Sequence, residues 1–171
     1  MTVMVAGDNS RGMELDPYTF GPDQTCFGCG PHNERGMRMR FVREGDEVVT
    51  ELTPEKGWDG PPNVFHGGLQ ATVADEVAGW ALVGLLGRMG FTTSLRVRYV
   101  RPIQLGVPIE ARAKIKSRKG PFVTVSVRLT QHGKLGSSAT VSYMLPDEDK
   151  AATYLGGELP PDWAHLFRDA P

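Results

Sequence analysis

At 171 residues the chain has room for one domain with extensions, and hardly for two. Nineteen Lys and Arg against twenty Asp and Glu leave a net charge of −1, which argues against a nucleic-acid binder working by bulk charge. Apolar residues at 40% and charged residues at 23% fit a globular chain, large enough to bury a core without a metal or disulfide staple.

Residues 1–24 have few periodic apolar positions and read as a lead-in segment. They lack the basic start and long apolar stretch of an export signal, so the expected location is the cytoplasm. The longest uncharged run of interest, Val77 to Gly87, is too short to span a bilayer, and neither a membrane nor a nucleic acid is an expected partner. Cys26 and Cys29 are spaced CxxC, which here does not read as a disulfide framework. With His32 they offer three metal ligands, an incomplete set, and a loop thiol pair is the default.

Met37 to Val42 alternates apolar and basic residues, as a half-buried strand does, and Glu47 to Thr53 predicts a second strand. Pro61 and Pro62 exclude regular structure around Trp58 to Asn63. From Gly67 to about Leu86 the chain is Ala- and Leu-rich, free of Pro and apolar nearly all round, the pattern of a helix wrapped by other structure. Four alternating runs follow, around Leu95–Val100, Ala111–Lys116, Val123–Leu129 and Ala139–Leu145, separated by Gly and Pro turns. Period-two alternation means an antiparallel sheet with one covered face, and the helix is the one candidate cover. The predicted class is therefore α+β. The domain is expected over 25–146, followed by a polar tail over 147–171 with a short Trp163–Phe167 anchor.

Two glycines behind His66 at the helix start let a ligand approach bare backbone. The free N–H groups there, with the positive end of the helix dipole, suit an anion or a developing oxyanion. Asp75 and Glu76 lie inside this apolar helix, where a carboxylate needs a task or a partner. The positions three and four away from Asp75 are Ala71, Thr72, Ala78 and Gly79, all small, whereas Glu76 adjoins Val73 and Trp80; Asp75 is the better candidate base.

The segments GPPNVFHGGLQATVADEVAG and TTSLRVRYVRPIQLG resemble the hot-dog fold acyl-CoA thioesterases of the phenylacetate-degradation type, within the 4-hydroxybenzoyl-CoA thioesterase superfamily. The stretch from Cys26 to Gly36 is similar to an N-terminal signature of this branch, and the resemblance covers about residues 26–145. It implies an antiparallel sheet wrapped around one long helix, and hydrolysis of an acyl-CoA thioester without a cofactor. It assigns the carbonyl-polarising N–H to Gly67, the catalytic carboxylate, as general base or nucleophile, to Asp75, the water-positioning hydroxyl to Thr92 and a supporting role to His66. Where some members place an Asn or Gln as a second oxyanion contact this chain has Gly60, and Asn63 is the substitute. Asn63, Gly68, Phe65 and Arg101 complete the expected substrate contacts. Trp58, Phe65 and Trp80 are candidates to line an acyl pocket, and the stripe Arg112, Lys114, Lys116 and Arg118 either holds coenzyme A phosphates or is a solvated sheet face. The resemblance also implies a homodimer, or a dimer of dimers. A hydratase on the same fold and a non-catalytic acyl-CoA-binding module are the alternatives.

Overall fold

A computed structural model describes residues 12–169; the lead-in's residues 1–11 and the tail's 170–171 lie outside the described residues. The elements run β1 (Met13–Glu14), β2 (Val42–Glu44), β3 (Glu47–Leu52), α1 (Gly67–Leu86), β4 (Phe91–Tyr99), β5 (Ile109–Lys119), β6 (Phe122–Gln131), β7 (Lys134–Met144) and α2 (Glu148–Leu155), then a 3-10 helix over Pro161–Phe167. The strands form one antiparallel sheet in the order β1-β2-β3-β5-β6-β7-β4. This sheet wraps α1, which packs against β3 to β7. It is the α+β arrangement expected of the hot-dog fold.

The core follows from the alternation. Ile109, Ala111 and Ala113 of β5, Val123, Val125, Val127 and Leu129 of β6, and Val141 and Tyr143 of β7 point inward. They meet Val73, Val77, Ala78, Ala81 and Leu82 of α1. The His66 side chain caps α1 by accepting from the Gly68 N–H at 2.9 Å. Gly87, at a φ of 63°, ends it with an N–H bond of 3.0 Å to the Val83 carbonyl.

Three expectations need correction. Met37 to Val42 is not a strand: β2 begins only at Val42, and Arg38 has a positive φ. Met39 and Phe41 are nevertheless buried, because the N–H groups of Met37 and Met39 bond to the Phe27 and Gly28 carbonyls, a loop instead of a ladder. On β4, Leu95 and Tyr99 are exposed, since this strand ends the sheet and pairs only with β7. The C-terminal segment is folded: Asp147 caps α2 at the Lys150 N–H, and Leu166 and Phe167 bury beside Ala151 in a second cluster that takes in Phe20 and Trp163. Buried Arg88 ties this segment to the domain through the Pro146 carbonyl and Asp169.

Candidate active site

Asp75 sits halfway along α1, half-buried, with its carboxylate turned toward the sheet. Thr92, near the start of β4, donates its hydroxyl to Asp75 Oδ1 at 2.8 Å. The Tyr143 hydroxyl lies 3.0 Å from the same oxygen and 2.8 Å from the Asp75 backbone oxygen. A helix and two strands thus fix one carboxylate oxygen. Burial, and then the neighbouring Asp75 charge, push the Tyr143 phenol well above its ordinary range, so it stays a donor. Tyr143 was not among the sequence candidates. Its signal was an inward position in an alternating strand, where a phenol needs a hydrogen-bond partner.

The helix N-terminus is built separately. His66 spends its Nδ1 on the Gly68 N–H, while the Gly67 N–H has no acceptor among the described residues. Tyr99, from the RYVRP segment, donates to the Gly67 carbonyl at 2.7 Å, and its ring lies 3.2 Å from where a Cβ on Gly67 would sit. A Cβ on Gly60 would likewise sit 3.3 Å from the His66 ring. Asn63 is exposed beside this end, in a left-handed conformation. Phe65 is buried in the core, stacked on Trp58 with ring centroids 6.1 Å apart. Arg101 is exposed and donates to the Leu135 carbonyl. The structure therefore joins Asp75 with Thr92, and His66 with Gly67 and Gly68, as two groups on one helix. Eight residues separate Gly67 from Asp75, about 12 Å along the axis.

A cavity of about 670 Å3 opens beside Asp75. Phe20, Trp80, Val83, Met89 and Trp163 supply its apolar wall, and Asp75, Thr92 and Tyr143 lie in its lining. Of the three aromatics expected there, Trp80 lines it, whereas Trp58 and Phe65 pack on each other elsewhere. Cys26, Cys29 and Glu76 also line it, with sulfur and carboxylate atoms within 4.8 Å of one another. The third group beside the cysteines is thus Glu76; His32 instead faces Tyr18. The hydrogen bond from Cys29, foremost, brings the Cys26 thiol down to about 5, and burial, then the Cys26 charge, pushes Glu76 up to about 7.

The basic stripe is largely neutralised. Because β3 pairs with β5, Arg112 meets Glu44, Glu47 and Glu110 at 2.8, 3.2 and 2.7 Å. Lys114 pairs with Asp46 and Arg118 with Asp169, the arrangement of a solvated sheet face.

Residues 62–144 match the thioesterase superfamily. The acyl-coenzyme A thioesterase THEM4 of Xenopus laevis is 35% identical over 125 residues, which are 71% of this chain and 52% of that protein. The chain thus spans about half the length of that relative. A crystal structure of a thioesterase superfamily protein superposes with a TM-score of 0.68 at 25% identity, over 80% of this chain and 68% of its own. A hypothetical thioesterase protein of Streptococcus pneumoniae, solved with coenzyme A, shares the fold at 18% identity, with a TM-score of 0.58 over 62% of this chain and 86% of its own. The wrapped helix, the matched segment and the THEM4 likeness agree: residues 62–144 are similar to the thioesterase superfamily, and the chain shares the fold of its members.

Proposed function

We propose that the chain hydrolyses an acyl-CoA thioester, with water activated at Asp75 and the carbonyl held at the His66-Gly67-Gly68 helix start. The observation that carries this reading is the Asp75 carboxylate, fixed by Thr92 and Tyr143 in the lining of an apolar cavity. A binding module has no need of such a costly carboxylate. Asp75 takes a proton from the attacking water as its oxygen bonds to the thioester carbon. The oxyanion that forms is stabilised by the Gly67 N–H, a donor in place before the reaction. Collapse breaks the carbon–sulfur bond, and the leaving coenzyme A thiolate takes up the proton held by Asp75, which restores the base. The Thr92 hydroxyl holds Asp75 and the water in register. The apolar cavity wall suits the acyl chain, and the Streptococcus pneumoniae protein shows that the fold can carry coenzyme A.

One helix cannot serve one carbonyl with both groups, since base and donor must each come within roughly 3 Å of the reacting atoms. The working unit is therefore a homodimer with two shared sites, each pairing one copy's helix start with the other's Asp75. The open edge of β4, nine residues long with Leu95 and Tyr99 exposed, supports this, because such an edge invites a partner.

Thiol release from short, medium, long and aryl acyl-CoAs, followed with a disulfide reagent, tests the reading. Multiple turnovers are expected on at least one class, beyond the two thiols the chain itself carries. Loss of enoyl absorbance without thiol release would assign a hydratase instead. Saturable binding with neither change would assign a binding module.

A further inference from the structure

We propose that Cys26, Cys29 and Glu76 form a binding site for one thiophilic divalent cation of the Zn2+ class, with its fourth position open to the cavity. Such a site needs this cluster alone and is independent of the hydrolysis proposed above.

The spacing fits. Tetrahedral zinc, with bonds of about 2.3 Å to sulfur and about 2.0 Å to oxygen, sets its sulfur and oxygen ligands about 3.5 Å apart. Cys26 Sγ lies 3.5 Å from Glu76 Oε1, and all three ligand atoms fall within 4.8 Å of one another. Three protein ligands with an open fourth position are the pattern of a zinc site that receives a water or a substrate atom.

The loop is shaped to present sulfur. The Gly30 N–H bonds the Cys26 carbonyl at 3.0 Å, turning the chain so that the Cys29 N–H lies 3.5 Å from Cys26 Sγ. Gln24 accepts from the Cys26 N–H at 3.0 Å and turns its amide toward Cys29 Sγ at 3.9 Å. Asn33 donates to the Thr25 carbonyl, closing the other side. Gly28 is needed for contact between loop and helix, since a Cβ there would lie 2.4 Å from the Glu76 carboxylate. Outer-shell groups of this kind orient metal ligands. The Trp80 indole N–H adds an independent sign. It is buried in the lining of the same cavity with no hydrogen-bond acceptor among the described residues, a donor left free for a metal-bound thiolate.

The charges point the same way. Asp23, Asp75, Glu76 and the two thiols line one cavity, and among the described residues no Lys, Arg or His lines it. A redox-active thiolate sits in electropositive surroundings, the reverse of this arrangement. A cation resolves the excess negative charge; a disulfide would leave the carboxylates as they are.

The test uses the full chain, kept reduced, stripped with a chelator and titrated with Co2+. One equivalent per chain is expected, with thiolate charge-transfer and the strong visible bands of tetrahedral cobalt. Cys26→Ser and Cys29→Ser should abolish those bands, and Gln24→Ala should weaken uptake about tenfold as an outer-shell loss. Asp75→Asn should leave the bands in place. Should a cysteine variant fail to fold, the wild type decides: equimolar Zn2+ should slow thiol modification at least about tenfold. The proposal is overturned if reduced chain takes up no stoichiometric Co2+, if Cys26→Ser keeps the bands, or if Zn2+ leaves both thiols equally reactive.

Discussion

Thr92, on the open edge of the sheet, holds Asp75, in the middle of the core helix, through a bond of 2.8 Å. The bond aims one carboxylate oxygen at β4, and Asp75 also lines the apolar cavity, the place the proposed hydrolysis gives to the attacking water. Asp75→Asn keeps the shape of the side chain and removes the base. The expected outcome is a fall in kcat of about 10²-fold or more with an unchanged melting curve. Retained activity in a folded Asp75→Asn protein would move the base elsewhere.

Thr92→Ala and Tyr143→Phe each remove one donor to Asp75 while leaving the carboxylate in place. Each should lower kcat about tenfold, less than Asp75→Asn, because a positioning contact contributes geometry and not the proton transfer. Tyr143→Phe removes a partly buried hydrogen bond and should destabilise the protein by about 1 kcal/mol. A coupling energy well away from zero is expected in the double variant, since both hydroxyls meet the same oxygen. Strict additivity would show that they act independently.

Burial without strand pairing carries its own prediction. Phe41 is 2% exposed and stacks on Trp80 with ring centroids 4.9 Å apart, although it precedes β2. Phe41→Ala should cost about 3–5 kcal/mol in denaturant unfolding, as a large core truncation does. Phe122→Ala, on β6 but 59% exposed, should stay within about 0.5 kcal/mol. The opposite ranking would show that strand membership outweighs packing here.

This contrast also shows what the sequence made legible. The limits of α1 were readable because a Pro-free apolar run lies between the His66-Gly67-Gly68 start and Gly87, all local signals. The four later strands were readable for the same reason, as alternation between turns. The segment from Met37 to Val42 was misread because alternation reports which side chains are buried and not which groups satisfy the backbone. Here those groups are the carbonyls of Phe27 and Gly28. Asp75 and Thr92 came from motif spacing within the resemblance. Tyr143, and the meeting of Glu76 with a cysteine loop 50 residues earlier, depend on tertiary packing that no local window contains.

The last prediction concerns the shared site. Gly67 opens α1 with an N–H that has no acceptor among the described residues, and Asp75 lies about 12 Å further along the same helix. Gly67→Pro deletes that donor at the first helical position, where proline is otherwise tolerated. The Gly67 carbonyl, which accepts from Tyr99, is untouched. Asp75→Asn deletes the base. Each variant alone should form nearly inactive homodimers. In a mixed dimer with sites shared between copies, one site carries both lesions and the other carries neither. If each site lay within a single chain, every site in the mixed dimer would carry one lesion and stay inactive. Random exchange makes half the dimers mixed and leaves one working site in each, so co-refolded material should recover about a quarter of wild-type activity. Mixed dimers isolated by two different affinity tags should reach about half. Inactive tagged heterodimers would rule the shared site out and require both groups to reach the thioester within one chain.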